Sequence, residues 1–128
     1  MTEINKKISE VLKMSLDEKY EYFIRKVADF ELIWGLNSDG WALYGDSKGN
    51  RVLPLWPEKE FAEVCAVDEW KDYIPEAIEL ENFLHKWVSG MTNDNTLISV
   101  FPTVISSGLI ISPSDLNQDL LHESEQYD

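Results

Sequence analysis

"GWALYGDSKGNRVLPLWP", residues 40–57, decides the fold of this chain. Its first apolar run, Trp41 to Tyr44, alternates faces with the period of a strand. Trp41 and Leu43 fall on one side, Ala42 and Tyr44 on the other. "GDSKGN" is turn chemistry, with Gly49 suited to a positive φ. The run Arg51 to Trp56 alternates again, setting Leu53 and Leu55 against Val52 and Trp56. Both faces are therefore apolar. Such a sheet is either covered by helices on both sides or leaves an aromatic patch for a partner. Coverage is the expectation; in the other case Trp41, Tyr44 and Trp56 are the candidate binding residues.

Immediately upstream, "LIWGL" places Leu32, Trp34 and Leu36 on one face, and "NSDG" supplies a turn. Three strands in succession predict an antiparallel meander. Pro54 has no N–H to donate, so the third strand is either an edge or turns that position away from its ladder.

Helices are expected on both flanks. Ile4, Ile8, Val11 and Leu12 recur at helical spacing, and Ser15 with Glu18 makes a capping box for a second helix running to about Asp29. Leu16, Tyr20, Phe23, Ile24, Val27 and Phe30 form its apolar stripe. Pro57 opens a short helix with Phe61, Val64 and Cys65 inward. Between 67 and 80 two readings stay open: Trp70, Tyr73 and Ile74 finish a helix, or Ala77 to Leu80 form a short strand. Leu80, Phe83, Leu84, Trp87, Val88 and Met91 then mark a helix buried along one side. "TLISVFP" reads as a strand, and Ser112–Pro113 starts a last helix carrying Leu116, Leu120 and Leu121. The fold class is thus α+β: a meander packed with about four helices in a single compact domain, residues 1–128, with a frayed polar tail after about residue 123.

Composition bounds the function. With 128 residues and 44% hydrophobic side chains, the chain buries one core without staples. No apolar run approaches the roughly 20 residues of a membrane span, and the charged N-terminal stretch lacks the apolar segment of a signal peptide. The lone Cys65 excludes an internal disulfide and suits a reducing compartment, so the cytoplasm is the expected location. Charge is asymmetric. Residues 1–51 hold eight Lys/Arg and nine Asp/Glu, whereas residues 52–128 hold three and fifteen, a net charge of -12. That field repels nucleic acid and anionic membranes, which require clustered cations. It suits solubility, or attraction of a basic protein partner.

Catalytic constellations are not evident. Cys65 sits on an apolar helix face beside acids, which raises a thiol pKa, and reads as structural. Glu81 and His85 share a helix face, but a pair alone is no metal site, and His122 lies among acids near the C-terminus. An EF-hand alignment sets Asn37, Asp39, Gly40 and Asp46 at the third, fifth, sixth and twelfth loop positions, yet Gly35 stands where the first carboxylate belongs and strand follows instead of helix. No phosphate-binding glycine loop or nucleophile elbow is present. No catalytic residue, metal or cofactor is therefore expected.

"WALYGDSKGNRVLPLWPEKEFAEVC", the tryptophan of "DEWKDY", the "IELENFLHKW" helix and the "VFPT" and "SP" ending together resemble a family of small bacterial proteins known as domain of unknown function twenty-seven-fifty. The resemblance covers nearly the whole chain and implies no activity or site residues. At the level of element order alone, the chain is similar to the enhanced-serine-sensitivity protein fold, which transfers no function. Two functions are open. One is a non-enzymatic interaction or regulatory domain, immunity-like among its forms, with a basic partner. The other is a small-molecule binder or enzyme using a cleft between the meander and the 80–91 helix. Oligomeric state is not readable.

Overall fold

A computed structural model describes residues 3–104 and 106–125. Helix α1 (Glu3–Leu12) turns through Lys13 and Met14 into α2 (Leu16–Phe30). The predicted capping box is formed: the Ser15 hydroxyl accepts from the Glu18 N–H at 3.2 Å, and the Glu18 carboxylate accepts from the Ser15 N–H at 3.0 Å. Val11 of α1 is buried and Ile8 packs against the core, while the Ile4 side chain lies outside those described. The stripe of α2 is narrower than expected. Phe23, Ile24 and Val27 are buried, but Leu16 is 44% exposed and Phe30 56%, because the two end turns overrun the core. Glu31 then reverses the chain in a left-handed conformation, φ 58°.

Four strands and two helices follow: β1 (Leu32–Asn37), β2 (Tyr44–Gly45), β3 (Arg51–Leu55), α3 (Lys59–Val64), β4 (Ile74–Glu79) and helix α4, residues 80–93. Helix α4 is α-helical over Leu80–Asn82 and Val88–Asn93, with a π-helical stretch at Phe83–Trp87 between them. The chain closes with β5 (Thr96–Val100), β6 (Leu109–Ile111) and α5 (Pro113–Ser124). Helix α5 starts as expected, with Ser112 capping the Asp115 N–H at 3.2 Å and proline in its first turn. The expected fraying after about residue 123 concerns a tail whose last residues, 126–128, lie outside the described ones.

The α+β class stands, but the three-strand meander does not form. β1 pairs antiparallel with β4, from Leu32↔Glu79 to Asn37↔Ile74. A second sheet has the order β2-β3-β5-β6, in which β3 and β5 run parallel. β1 and the following segment share only the bridge Asn37↔Trp41. The physical reason lies at the edge of β1 that faces the following segment, where Trp34 already exchanges its backbone bonds with Trp56, so that β2 pairs with β3 instead and the Trp41 ring lies 3.0 Å from where a Gly35 Cβ would stand. The two sheets join through Trp34 and Trp56, which exchange N–H···O bonds of 2.9 and 2.8 Å. Of the two open readings between 67 and 80, the strand holds and is longer, 74–79, after a 3-10 turn at Asp68–Trp70.

β3 is interior, so Pro54 is not on an edge strand. The Leu55 carbonyl accepts from Phe101 on the β5 side. Alternation then points the Pro54 nitrogen the other way, between the Tyr44↔Val52 pair and the Trp34↔Trp56 bridge, where no donor is needed. Val52, Leu53, Leu55 and Trp56 are all buried, so both faces of β3 are covered. Helix α2 packs on α5 and β1, α3 on β1 and β4, and the C-terminal part of α4 on β5. Helix α3 begins at Lys59, two residues after Pro57, because Glu58 is held extended (φ -145°) and its carboxylate is drawn to Lys7 and Tyr22. No helix is long and apolar enough to cross a membrane among the described residues.

Candidate functional site

The parallel β3–β5 pair ends at a tightly constrained stretch of backbone. After Val100 the chain enters a left-handed residue, Phe101 (φ 57°), then Pro102 and a tight turn in which Thr103 and Ser106 bridge. The Pro102 carbonyl accepts from the Trp56 indole N–H at 2.8 Å and from the Cys65 thiol at 3.4 Å. Ser99 donates its hydroxyl to the Ser107 carbonyl. Gly108 (φ 76°) passes so close that a Cβ would meet the Val100 carbonyl oxygen at 2.5 Å and the Pro102 nitrogen at 2.9 Å. A crevice outside the carboxyl ends of parallel strands is where open sheets commonly receive ligands.

Here that crevice is a groove of two adjoining hollows, about 190 and 630 Å³, which share Glu69, Trp70, Pro102, Thr103 and Val104 in their walls. Tyr44 closes one end, its ring centroid 6.2 Å from that of Trp70 at an interplanar angle of 50°. Leu43, Val67 and Val104 line the walls and are 44%, 46% and 59% exposed. The charged side chains that line it among the described residues are Asp68 and Glu69, both acidic. The Tyr44 hydroxyl is buried without a hydrogen-bond partner among the described residues.

The three aromatic residues singled out in the sequence do not form one surface. Tyr44 lines the groove. Trp56 is fully buried beneath it, edge-on to Trp70 at 6.4 Å, and presents nothing to a partner. Trp41 is half-buried elsewhere, edge-on to Trp87 at 5.0 Å. The groove's other principal aromatic, Trp70, was not recognisable. It lies in the ambiguous 67–80 stretch, and no periodicity marks a one-turn helix.

Chemistry in the groove is limited. Burial pushes the Cys65 thiol up to about 11, away from nucleophilic use. His85 and His122 are both exposed and line neither hollow. No three His, Cys, Asp or Glu side chains come together to hold a metal ion among the described residues. The inner side of helix α4 is filled by Leu80, Phe83 and Met91 of the core. A hollow that touches that helix lies at its first turn, against Ala28, Asp29 and Glu31.

A separate polar cluster ties α1 down. Lys7 donates to Glu58 and, at 3.1 Å, to Glu60, while the Tyr22 phenol donates to Glu58. Burial and the bond to Glu58 push the Tyr22 phenol well up. Burial works against the Lys7 ammonium, but its two carboxylate partners outweigh that and hold it protonated. The cluster joins three helices and reads as a clasp.

The fold and groove define an α+β protein with a mixed sheet, whose open end presents aromatic, aliphatic and acidic side chains. The model of the family described as Protein of unknown function (DUF2750) matches residues 20–120, and the chain belongs to that family. No curated protein and no solved structure matches the chain. The described groove lining, from Leu43 to Ser107, falls inside the matched segment, and α1 falls outside it.

Proposed function

We propose that this protein is a non-enzymatic interaction or regulatory domain of the cytoplasm, immunity-like in kind, that docks a basic protein partner in the groove at the end of β3 and β5. One observation carries the reading: three exposed aliphatic side chains, Leu43, Val67 and Val104, converge on one groove whose charged lining is acidic. Exposed apolar groups gathered in one place mark an interaction surface, whereas scattered ones do not. The -12 charge of residues 52–128 supplies long-range attraction for a cationic surface and discriminates against anionic ones. Asp68, held at φ 54° beside Glu69, keeps two carboxylates at the rim.

Affinity capture from native cytoplasm tests it. A stoichiometric partner is expected at low salt, lost at high salt, and lost at low salt with Val104→Glu or Trp70→Ala. If both variants retain the partner, the groove is not the docking site. If metabolites raise the melting temperature and no protein is captured, a small-molecule role replaces this one.

A further inference from the structure

We propose that the wedge between Tyr44 and Trp70 seats an arginine side chain of the basic partner, its guanidinium against the two rings and paired with Glu69. This rests on the docking reading above and names the group that anchors it. The two rings stand 6.2 Å apart at 50°, tilted rather than stacked, and both line the larger hollow together with Glu69. A tilted aromatic pair beside a carboxylate is a cation receptor: the ring faces carry negative potential, tryptophan most of all, and the carboxylate supplies the counter-charge.

No lysine or arginine lines either hollow among the described residues, so no cation of this chain fills the wedge from its walls. Elsewhere the chain's own lysines do serve its rings: Lys26 lies 5.6 Å from the Tyr22 ring centroid and 5.5 Å from that of Phe30, and Lys7 lies 6.0 Å from that of Phe61. Trp70 stands edge-on against the buried Trp56, whose indole N–H donates to the Pro102 carbonyl, so one side of the wedge rests on the core. The receptor is therefore preorganised, and little ordering opposes binding.

Arginine fits better than lysine. Its planar guanidinium lies flat on a ring and still presents donors at its edge, whereas an ammonium is a compact, strongly hydrated point charge. Those edge donors have an acceptor in the exposed Glu69 carboxylate, which lines the same hollow as the two rings.

The test follows the five indole N–H signals by NMR, with Trp70→Phe assigning the relevant one. Acetyl-Gly-Arg-Gly-amide is titrated against the lysine peptide and against the citrulline peptide, a neutral isostere of arginine. The arginine peptide is expected to move the Trp70 signal selectively, the lysine peptide less, and the citrulline peptide not at all. Glu69→Gln, at an exposed position, should weaken the arginine response about tenfold while leaving the spectrum otherwise native. Equal responses to citrulline and arginine, or an arginine response undiminished in Glu69→Gln, overturn the proposal. If the arginine peptide leaves Trp70 unmoved while a basic protein is still captured in a salt-sensitive and Val104-dependent way, the docking reading stands and the anchor falls; if neither occurs, both fall.

Discussion

Pro102 offers one carbonyl oxygen to two donors, the Trp56 indole and the Cys65 thiol, and so holds both residues at this corner. Strand alternation assigned Trp56 to a face but not what covers that face. The structure withdraws it from solvent and gives its N–H a partner, so it supports the groove from below. At Cys65, desolvation by burial disfavours the thiolate. Gly108 is the residue on which this corner turns. Its φ of 76° and the backbone atoms 2.5 and 2.9 Å from a would-be Cβ leave no room for a side chain. Gly108→Ala should destabilise the protein by about 3 kcal/mol, since neither atom can move without disturbing the parallel pair. A urea midpoint within experimental error of the wild type would contradict this account.

Among the elements, local signals were legible where local chemistry decides. The Ser15–Glu18 box, the Ser112–Pro113 start and the Asp46 turn, whose carboxylate accepts from Lys48 and Asn50, all form from neighbours within four residues. The strand at 74–79 was only partly legible, because its partner is β1, some forty residues earlier. The clasp between α1 and α3 was not legible, since Lys7 and Glu58 are 51 residues apart. It carries a pH signature. Burial works to raise the Glu60 carboxyl, but its own N–H and Lys7 lower it below its ordinary 4.5. A carboxyl depressed in the folded state stabilises above its unfolded value, and that contribution is lost as pH falls through the folded one. Lys7 is shifted upward from 10.5, so its share is complete below that value and is lost only as pH rises through the folded one. The Lys7 side chain is 38% exposed, and solvent screening holds the pair to about 1 kcal/mol. Lys7→Met should therefore be less stable than the wild type by about that amount from pH 5 to 10, with the gap closing below about pH 4. A difference independent of pH in urea titrations would assign the loss to packing on Phe61 instead.

At the scale of the whole molecule, 24 acidic and 11 basic side chains have opposite consequences for folding and for binding. Self-repulsion in a chain of net charge -13 opposes compaction, and salt screens it. The melting temperature is expected to rise by about 3–5 °C between about 20 mM and 0.5 M sodium chloride, while partner capture weakens over the same range. A melting temperature that falls with salt would show the acids to be engaged in attractive pairs rather than repelling one another. Composition, charge asymmetry, helix starts and turn positions belong to the sequence by itself, because each depends on residue type or on neighbours a few positions apart. The parallel pairing of β3 with β5, the burial of Trp56 and the meeting of Tyr44, Trp70 and Val104 belong to the tertiary structure. Those features depend on which distant apolar faces pack together, and alternation along a single strand carries no information about the partner that will cover it.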